Sequence, residues 1–170
     1  MEIEMKIRNS KTEDFDRIMQ IYADARVFMA EHGNPKQWGL RCWPPADLIR
    51  NDIMIGKSYV CVDEKDKILG VFYFDYGSDV EPTYRIIEAG EWKHDGPYGV
   101  VHRIASSGEC KGVGTFCINW ALNQCEHIRI DTHTDNSVMQ KLLEKLGFEK
   151  CGIIHVRQDN DPRIAYEKVK

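Results

Sequence analysis

Glu109-Cys110-Lys111-Gly112-Val113-Gly114-Thr115 stands between two stretches of opposite character, and its reading decides the fold. Before it, Tyr98-Gly99-Val100-Val101-His102-Arg103-Ile104-Ala105 is β-branched and apolar enough for a central strand. After it, Phe116-Cys117-Ile118-Asn119-Trp120-Ala121-Leu122 carries apolar groups at helical spacing, which predicts a helix over 112–124. A glycine pair that ends a strand and opens a helix leaves several backbone N–H groups without partners. Backed by the positive end of the helix dipole, those donors make an anion site. The stretch therefore points to a phosphate-bearing ligand rather than to an ordinary surface turn.

On the N-terminal side, Ile7-Arg8 reads as a short strand, and Ser10-Lys11-Thr12-Glu13 has the form of a capping box. Phe15, Ile18, Met19, Tyr22, Ala25 and Met29 follow at three- and four-residue steps, predicting an amphipathic helix from Thr12 to about Ala30. Gly33-Asn34-Pro35 ends it, and Pro45 to about Ile55 reads as a shorter second helix. Ser58–Asp63 and Ile68–Asp75 are predicted strands joined by a hairpin turn at Glu64–Lys67. Residues 76–97 have no clean period and read as a loop, holding at most one short element, that lies over the sheet.

On the C-terminal side, Ile128–Thr132 is another strand. Asn136 or Ser137 can cap a helix with Met139, Leu142, Leu143 and Leu146 on one side, and Gly147 suits its left-handed end. Phe148–Val156 and Arg163–Lys168 are the last strands, joined by the polar turn Gln158-Asp159-Asn160-Asp161-Pro162. The order β-α-α-β-β-β-α-β-α-β-β implies hairpins early and late. Its two strand–helix–strand units imply parallel neighbours. An α/β domain results, with a mixed sheet flanked by helices on both faces.

At 170 residues the chain fits one domain over 1–170, large enough to bury roughly two thirds of its unfolded surface. A net charge of −4 argues against a general nucleic-acid binder, which carries a basic face. Met1-Glu2-Ile3-Glu4-Met5-Lys6 lacks the apolar core of a signal peptide, and no apolar run nears the ~18–20 residues that span a bilayer. The expectation is a cytoplasmic protein with no membrane partner. The cysteines at 42, 61, 110, 117, 125 and 151 form no CxxC pair and read as buried apolar residues or free thiols. No Cys/His pair has ligand spacing, so no metal is expected.

The element order and two motifs resemble the GNAT superfamily of N-acetyltransferases, over essentially the whole chain. Glu109 to Gly114 matches both glycines of the family's phosphate loop, [Gln/Arg]-x-x-Gly-x-[Gly/Ala], at the start of the helix after the fourth strand. Asp135-Asn136-Ser137-Val138-Met139-Gln140-Lys141-Leu142-Leu143-Glu144-Lys145-Leu146-Gly147-Phe148 resembles the second motif, an Asn, a helix, then Leu-Gly-Phe. The resemblance implies the acyl-CoA N-acyltransferase fold, with a mostly antiparallel central sheet, and an acetyl-CoA cofactor. The backbone of Lys111, Gly112, Val113, Gly114 and Thr115 would hold the pyrophosphate of coenzyme A. The strand edge at Ile104, Ala105 and Ser106 would pair with the pantetheine amides and direct a backbone donor at the thioester carbonyl. Asn136 would approach the pantetheine arm or serve as the helix cap.

Two positions depart from the family pattern. Glu109 stands where Gln or Arg is usual; a carboxylate facing a pyrophosphate would repel it, so Glu109 is expected to turn outward, with Lys111 offsetting its field. Many relatives carry a tyrosine that protonates the departing thiolate one residue after the helix leucine, and here Leu142 is followed by Leu143.

The mechanism implied is direct attack by a neutral amine, which needs a base near neutrality. His102, on the strand beside the thioester site, is one candidate, imidazole being the side chain suited to take up a proton near neutrality. Asp131 and His133 at the end of the next strand are the others. Each also has a structural reading, as a hydrogen-bonded strand histidine or a turn brace. Arg103 reads as one half of a structural ion pair. Trp38, Trp43, Tyr84 and Trp92 read either as an acceptor wall or as packing beneath long loops. The leading function is acetyl transfer to the amine of a small molecule or peptide, by a protein whose relatives are frequently homodimers. The alternative is a non-catalytic acyl-CoA-binding module, suggested by Leu143. A nucleoside-triphosphate enzyme is disfavoured because the loop lacks the GxxxxGK[ST] ending.

Overall fold

Seven strands hydrogen-bond into one sheet in a computed structural model that describes residues 2–39, 42–157, 159 and 161–170. They are β1 (Lys6–Asn9), β2 (Ser58–Val62), β3 (Ile68–Gly77), β4 (Tyr98–Ser106), β5 (His127–His133), β6 (Glu149–His155) and β7 (Pro162–Val169), in the order β1-β2-β3-β4-β5-β7-β6. Every neighbouring pair is antiparallel except β4–β5. Four helices flank the sheet: α1 (Phe15–Glu31), α2 (Ala46–Met54), α3 (Val113–Cys125) and α4 (Ser137–Lys145).

Strand alternation divides the core into layers. Phe72, Phe74, Val101, Ile128 and Ile130 face Val113, Cys117 and Ile118 of α3 and Leu143 of α4. The opposite face turns Val60, Val62, Val71 and Ala105 towards Ile18, Ile21 and Tyr22 of α1 and Ile49 of α2. On that second face the segment 76–97 lies over the sheet as its lack of pattern implied. Its 3-10 turn, Pro82–Tyr84, buries Tyr84 against Tyr98, Val100 and Ala165.

The boundaries of α4 are set by its end residues. Asn136 Oδ1 accepts the Met139 N–H at 3.0 Å, and beyond the helix Gly147 takes φ +88° while Phe148 N–H reaches back to Leu143 O at 3.0 Å. The start of α1 differs from expectation. Lys11 N–H, not the Ser10 hydroxyl, closes the turn by donating to Asp14 Oδ2 at 2.7 Å. Ser10 is buried instead, its Oγ 2.7 Å from Ser58 Oγ on β2; a hydroxyl partner on the neighbouring strand has drawn it away from the helix.

The β4–α3–β5 unit gives the parallel pair its order implied. The β5–α4–β6 unit does not, because β7 enters between β5 and β6 and pairs antiparallel with both. Burial explains the choice: Ala165, Tyr166 and Glu167 of β7 are enclosed in succession, as a central strand requires, whereas β6 keeps an exposed edge. The turn before β7 includes Gln158 and Asn160, which lie outside the described residues.

Two features of β4 shape the space beside it. Its pairing with β5 is limited to Gly99↔Ile128 and Val100↔Arg129, so the facing edge of β4 from Val101 onward has no partner strand. Against β3 it carries a bulge: Tyr73 pairs with His102 and Val71 with Ala105, three steps against two. The extra residue turns His102 and Arg103 to the same face.

Candidate functional site

The turn after β4 is shaped by glycine. Gly108 and Gly112 take φ +80° and +81°, a left-handed conformation that costs other residues strain. Gly112 caps α3, so the amides of Val113, Gly114 and Thr115 precede the first helical bond, Phe116 N–H to Gly112 O at 2.9 Å. A Cβ on Gly114 would stand 3.2 Å from Leu142 Cδ2; its absence lets α3 start close against α4. Gly114, Ala105, Ser106 and Leu142 line a groove of about 330 Å³. Gly112 and Thr115 border a smaller hollow beside Trp120 and Asn123. Val113 buries its side chain in the core and Lys111 is exposed.

Glu109 turns away from the groove. Its carboxylate takes Arg17 Nη2 of α1 at 2.5 Å and Lys67 Nζ of the β2–β3 hairpin, and these bonds hold it below the usual carboxylate range. The outward orientation is as expected. The offsetting cations are Arg17 and Lys67, however, supplied from distant elements that local sequence could not indicate.

The groove continues through the sheet. Met29, Ile104, Asn136 and Met139 line both it and a second cleft of about 390 Å³. The passage lies where β4–β5 pairing has stopped, so the N–H and C=O groups of the β4 edge border it. Asn136 stands at its side with both ends of its amide engaged: Oδ1 caps α4, and Nδ2 donates to Gln37 Oε1 at 2.9 Å.

The second cleft is walled by Trp38, Trp43, Leu48 and Pro82 and carries polar groups on its floor. His102 Nε2 lies 3.2 Å from Glu81 Oε2, and Thr83 Oγ1 donates to Glu81 Oε1 at 2.5 Å. Burial pushes the Glu81 carboxyl up, but the bonds from His102 and Thr83 outweigh it and leave Glu81 below its ordinary value. Opposite, Tyr84 OH donates to Asp131 Oδ2 at 2.6 Å. Burial first, then the Asp131 charge, hold that phenol protonated. The bulge residue Arg103 sits at φ +50°. It is kept there by a two-pronged pair with Asp52 of α2 (3.0 and 3.1 Å), by Tyr73 4.5 Å beneath its guanidinium, and by Tyr22 OH donating to its carbonyl at 2.7 Å. The predicted structural ion pair of Arg103 is thus present.

Of the three candidate bases, His102 and Asp131 reach this cleft. His133 does not. Its Nδ1 accepts the Asp135 N–H at 2.9 Å and its Nε2 faces Asp161 Oδ2 at 2.8 Å, so both nitrogens brace the turn after β5. The aromatic group also divides: Trp38 and Trp43 wall the cleft, while Trp92 packs on the buried Tyr84 and donates to its carbonyl at 2.9 Å. Glu81 escapes sequence reasoning, being in a segment without periodicity; its place just before the Pro82 turn is the only signal. Thr132 escapes it too. It lines the cleft, is 1% exposed, and its Oγ1 has no hydrogen-bond partner among the described residues. Leu143 lies fully within the core and lines neither cavity.

Neither family models nor curated protein sequences give a match; solved structures do. A GNAT-family acetyltransferase from Streptococcus agalactiae 2603 is 30% identical with a TM-score of 0.87, over 98% of this chain and 95% of that one. A GNAT-family acetyltransferase from Listeria monocytogenes 4b F2365 shares the fold at 18% identity and a TM-score of 0.72, over 99% and 96%. NAA60 of Arabidopsis thaliana, crystallised with acetyl-CoA, shares it at 13% identity and 0.67, over 98% and 100%. At the identity and coverage of the first of these, the chain belongs to the GNAT acetyltransferase family.

Proposed function

We propose that this protein is an acetyl-CoA-dependent N-acetyltransferase that moves an acetyl group to a primary amine of a small molecule or peptide. The observation that carries the reading is the passage: a groove beginning at unpaired helix-start amides runs along an unpaired strand edge into a cleft floored by His102, Glu81 and Asp131. The residues fit coenzyme A. The amides of Lys111 to Thr115 would hold the pyrophosphate. Ile104, Ala105 and Ser106 would pair with the pantetheine amides as an added strand does. Asn136 would flank the arm. NAA60, which shares this fold, binds acetyl-CoA in its crystal.

Bound acetyl-CoA supplies an activated thioester carbonyl. The chain's part is to polarise it, place the amine and remove a proton. A backbone N–H at the β4 bulge polarises the carbonyl oxygen. Asp131 and the indoles of Trp38 and Trp43 favour an ammonium in the cleft. His102 accepts the proton, and Glu81, held ionised, fixes the ring so that Nδ1 is the basic nitrogen. A second reading, an acyl-CoA-binding module without turnover, is favoured by Leu143 alone.

Release of free thiol from acetyl-CoA with a panel of primary amines tests the proposal, alongside thermal shifts. Acetyl-CoA at about 100 times its Kd should add roughly 2.7 kcal/mol of stability. Binding without release for any amine would favour the module. A shift with ATP and none with acetyl-CoA would sink both readings.

A further inference from the structure

Thr132 is buried on β5 with a hydroxyl unused among the described residues, a state native proteins seldom keep without an occupant for it. Alternation along β5 puts it on the same face as Ile128 and Ile130, the side of α3, α4 and the groove, while Asp131 turns to the acceptor side. Extending the β4–β5 register beyond Val100↔Arg129 brings Arg103 and Ile104 level with Thr132, across the gap where pairing has ceased. Around that gap Met29, Ile104, Ile130 and Met139 are apolar, and both ends of Asn136 are taken. Beside the backbone groups of the open β4 edge, Thr132 holds the one buried, unused side-chain donor there among the described residues.

We propose that the Thr132 hydroxyl donates a hydrogen bond to the coenzyme A sulfur as it leaves; this rests on the acetyltransferase reading. The amine nitrogen forms the C–N bond, the C–S bond breaks, and its electron pair stays on sulfur. The amine proton goes to His102. Thr132 keeps its own proton and stabilises the thiolate, which is protonated by water on release. Leu143, packed in the core beside Ile130, contributes no polar group to this step.

The test compares Thr132→Val, which removes the donor at similar shape, with Thr132→Ser, which keeps it. The first readout is the ultraviolet absorbance of the thiolate of coenzyme A bound to each protein, titrated with pH. In Thr132→Val the bound thiol should titrate about one to two pH units higher than in the wild type, and in Thr132→Ser near the wild-type position. The second is turnover: kcat should fall about 10- to 100-fold in Thr132→Val with the KM for acetyl-CoA nearly unchanged. Coincident titrations with kcat within about threefold overturn the proposal and leave the acetyltransferase reading standing. If the valine variant does not fold, the wild type decides: a bound thiol titrating no lower than free coenzyme A overturns it. A wild type that binds no coenzyme A overturns both.

Discussion

Replacing Arg103 should expose how much the β4 bulge depends on one ion pair. The Asp52 side chain is 4% exposed and the Arg103 side chain 14%, so Arg103→Ala leaves a carboxylate buried without its partner, a loss of about 3–5 kcal/mol. The guanidinium over Tyr73 adds about 0.5–1 kcal/mol. Arg103→Gly loses the same contacts but also relieves φ +50°. That relief is worth about 1–2 kcal/mol, offset by about 0.5–1 kcal/mol of chain entropy. Glycine should therefore be the milder replacement by roughly 1 kcal/mol. pH gives a further check. Burial, only partly countered by Arg103, already raises the Asp52 carboxyl. A raised carboxyl binds protons in the folded state that the unfolded chain has released, so stability falls as pH rises through that window. Without Arg103 the fall should steepen, and the penalty at pH 8 should exceed that at pH 4. Urea titrations followed by circular dichroism measure all three values. A loss below about 1 kcal/mol for Arg103→Ala, or a glycine variant less stable than the alanine one, would refute the reasoning.

Two other substitutions probe separate parts of the molecule. Gly112→Ala meets no atom within 4 Å, so its cost is backbone alone, about 1–2 kcal/mol; thermal melts should show it, with isothermal titration reporting weaker acetyl-CoA binding as the helix-start amides turn. Glu167, 2% exposed, accepts from His127, Arg129 and the Lys93 amide, and these bonds outweigh burial to keep its carboxyl low. Its contribution should be present above about pH 4.3 and be lost as pH falls further, because there the unfolded chain takes up the proton first. Glu167→Gln should cost about 3–5 kcal/mol at pH 7 and flatten that acid limb in melts between pH 7 and 3.

What the sequence disclosed was local. Ser58–Asp63 and Ile68–Asp75 announce a hairpin by alternation, and Asn136 and Gly147 bound α4 because capping chemistry is short-range. The glycine turn is equally legible, since φ +81° at Gly112 is a demand on one residue. What stayed hidden depends on residues far apart in the chain. The insertion of β7 between β5 and β6 is a competition among strands for the central slot. The bulge needs Asp52, Tyr22 and Tyr73 to hold a left-handed arginine. Glu81 joins His102 across 21 residues, from a segment with no period to read. His133 resembles a base by its position at a strand end, and only its two fixed hydrogen bonds show that it is spent on the turn. Ser10 misleads for the same reason: a good cap in sequence, claimed by a hydroxyl 48 residues away.

The two-pair contact between β4 and β5 makes the sheet a book with a short spine at Gly99 and Val100. One cover, β1–β4, holds the glycine turn, the bulge and His102; the other, β5–β7, holds Asp131 and Thr132. The groups proposed to react are thus divided between halves whose strands pair at one end only. A ligand seated along the free edge of β4 would complete the ladder that the protein leaves unfinished. It would close the gap between covers that the turn at Glu81–Tyr84 already clasps from outside, Glu81 holding His102 on one and Tyr84 holding Asp131 on the other.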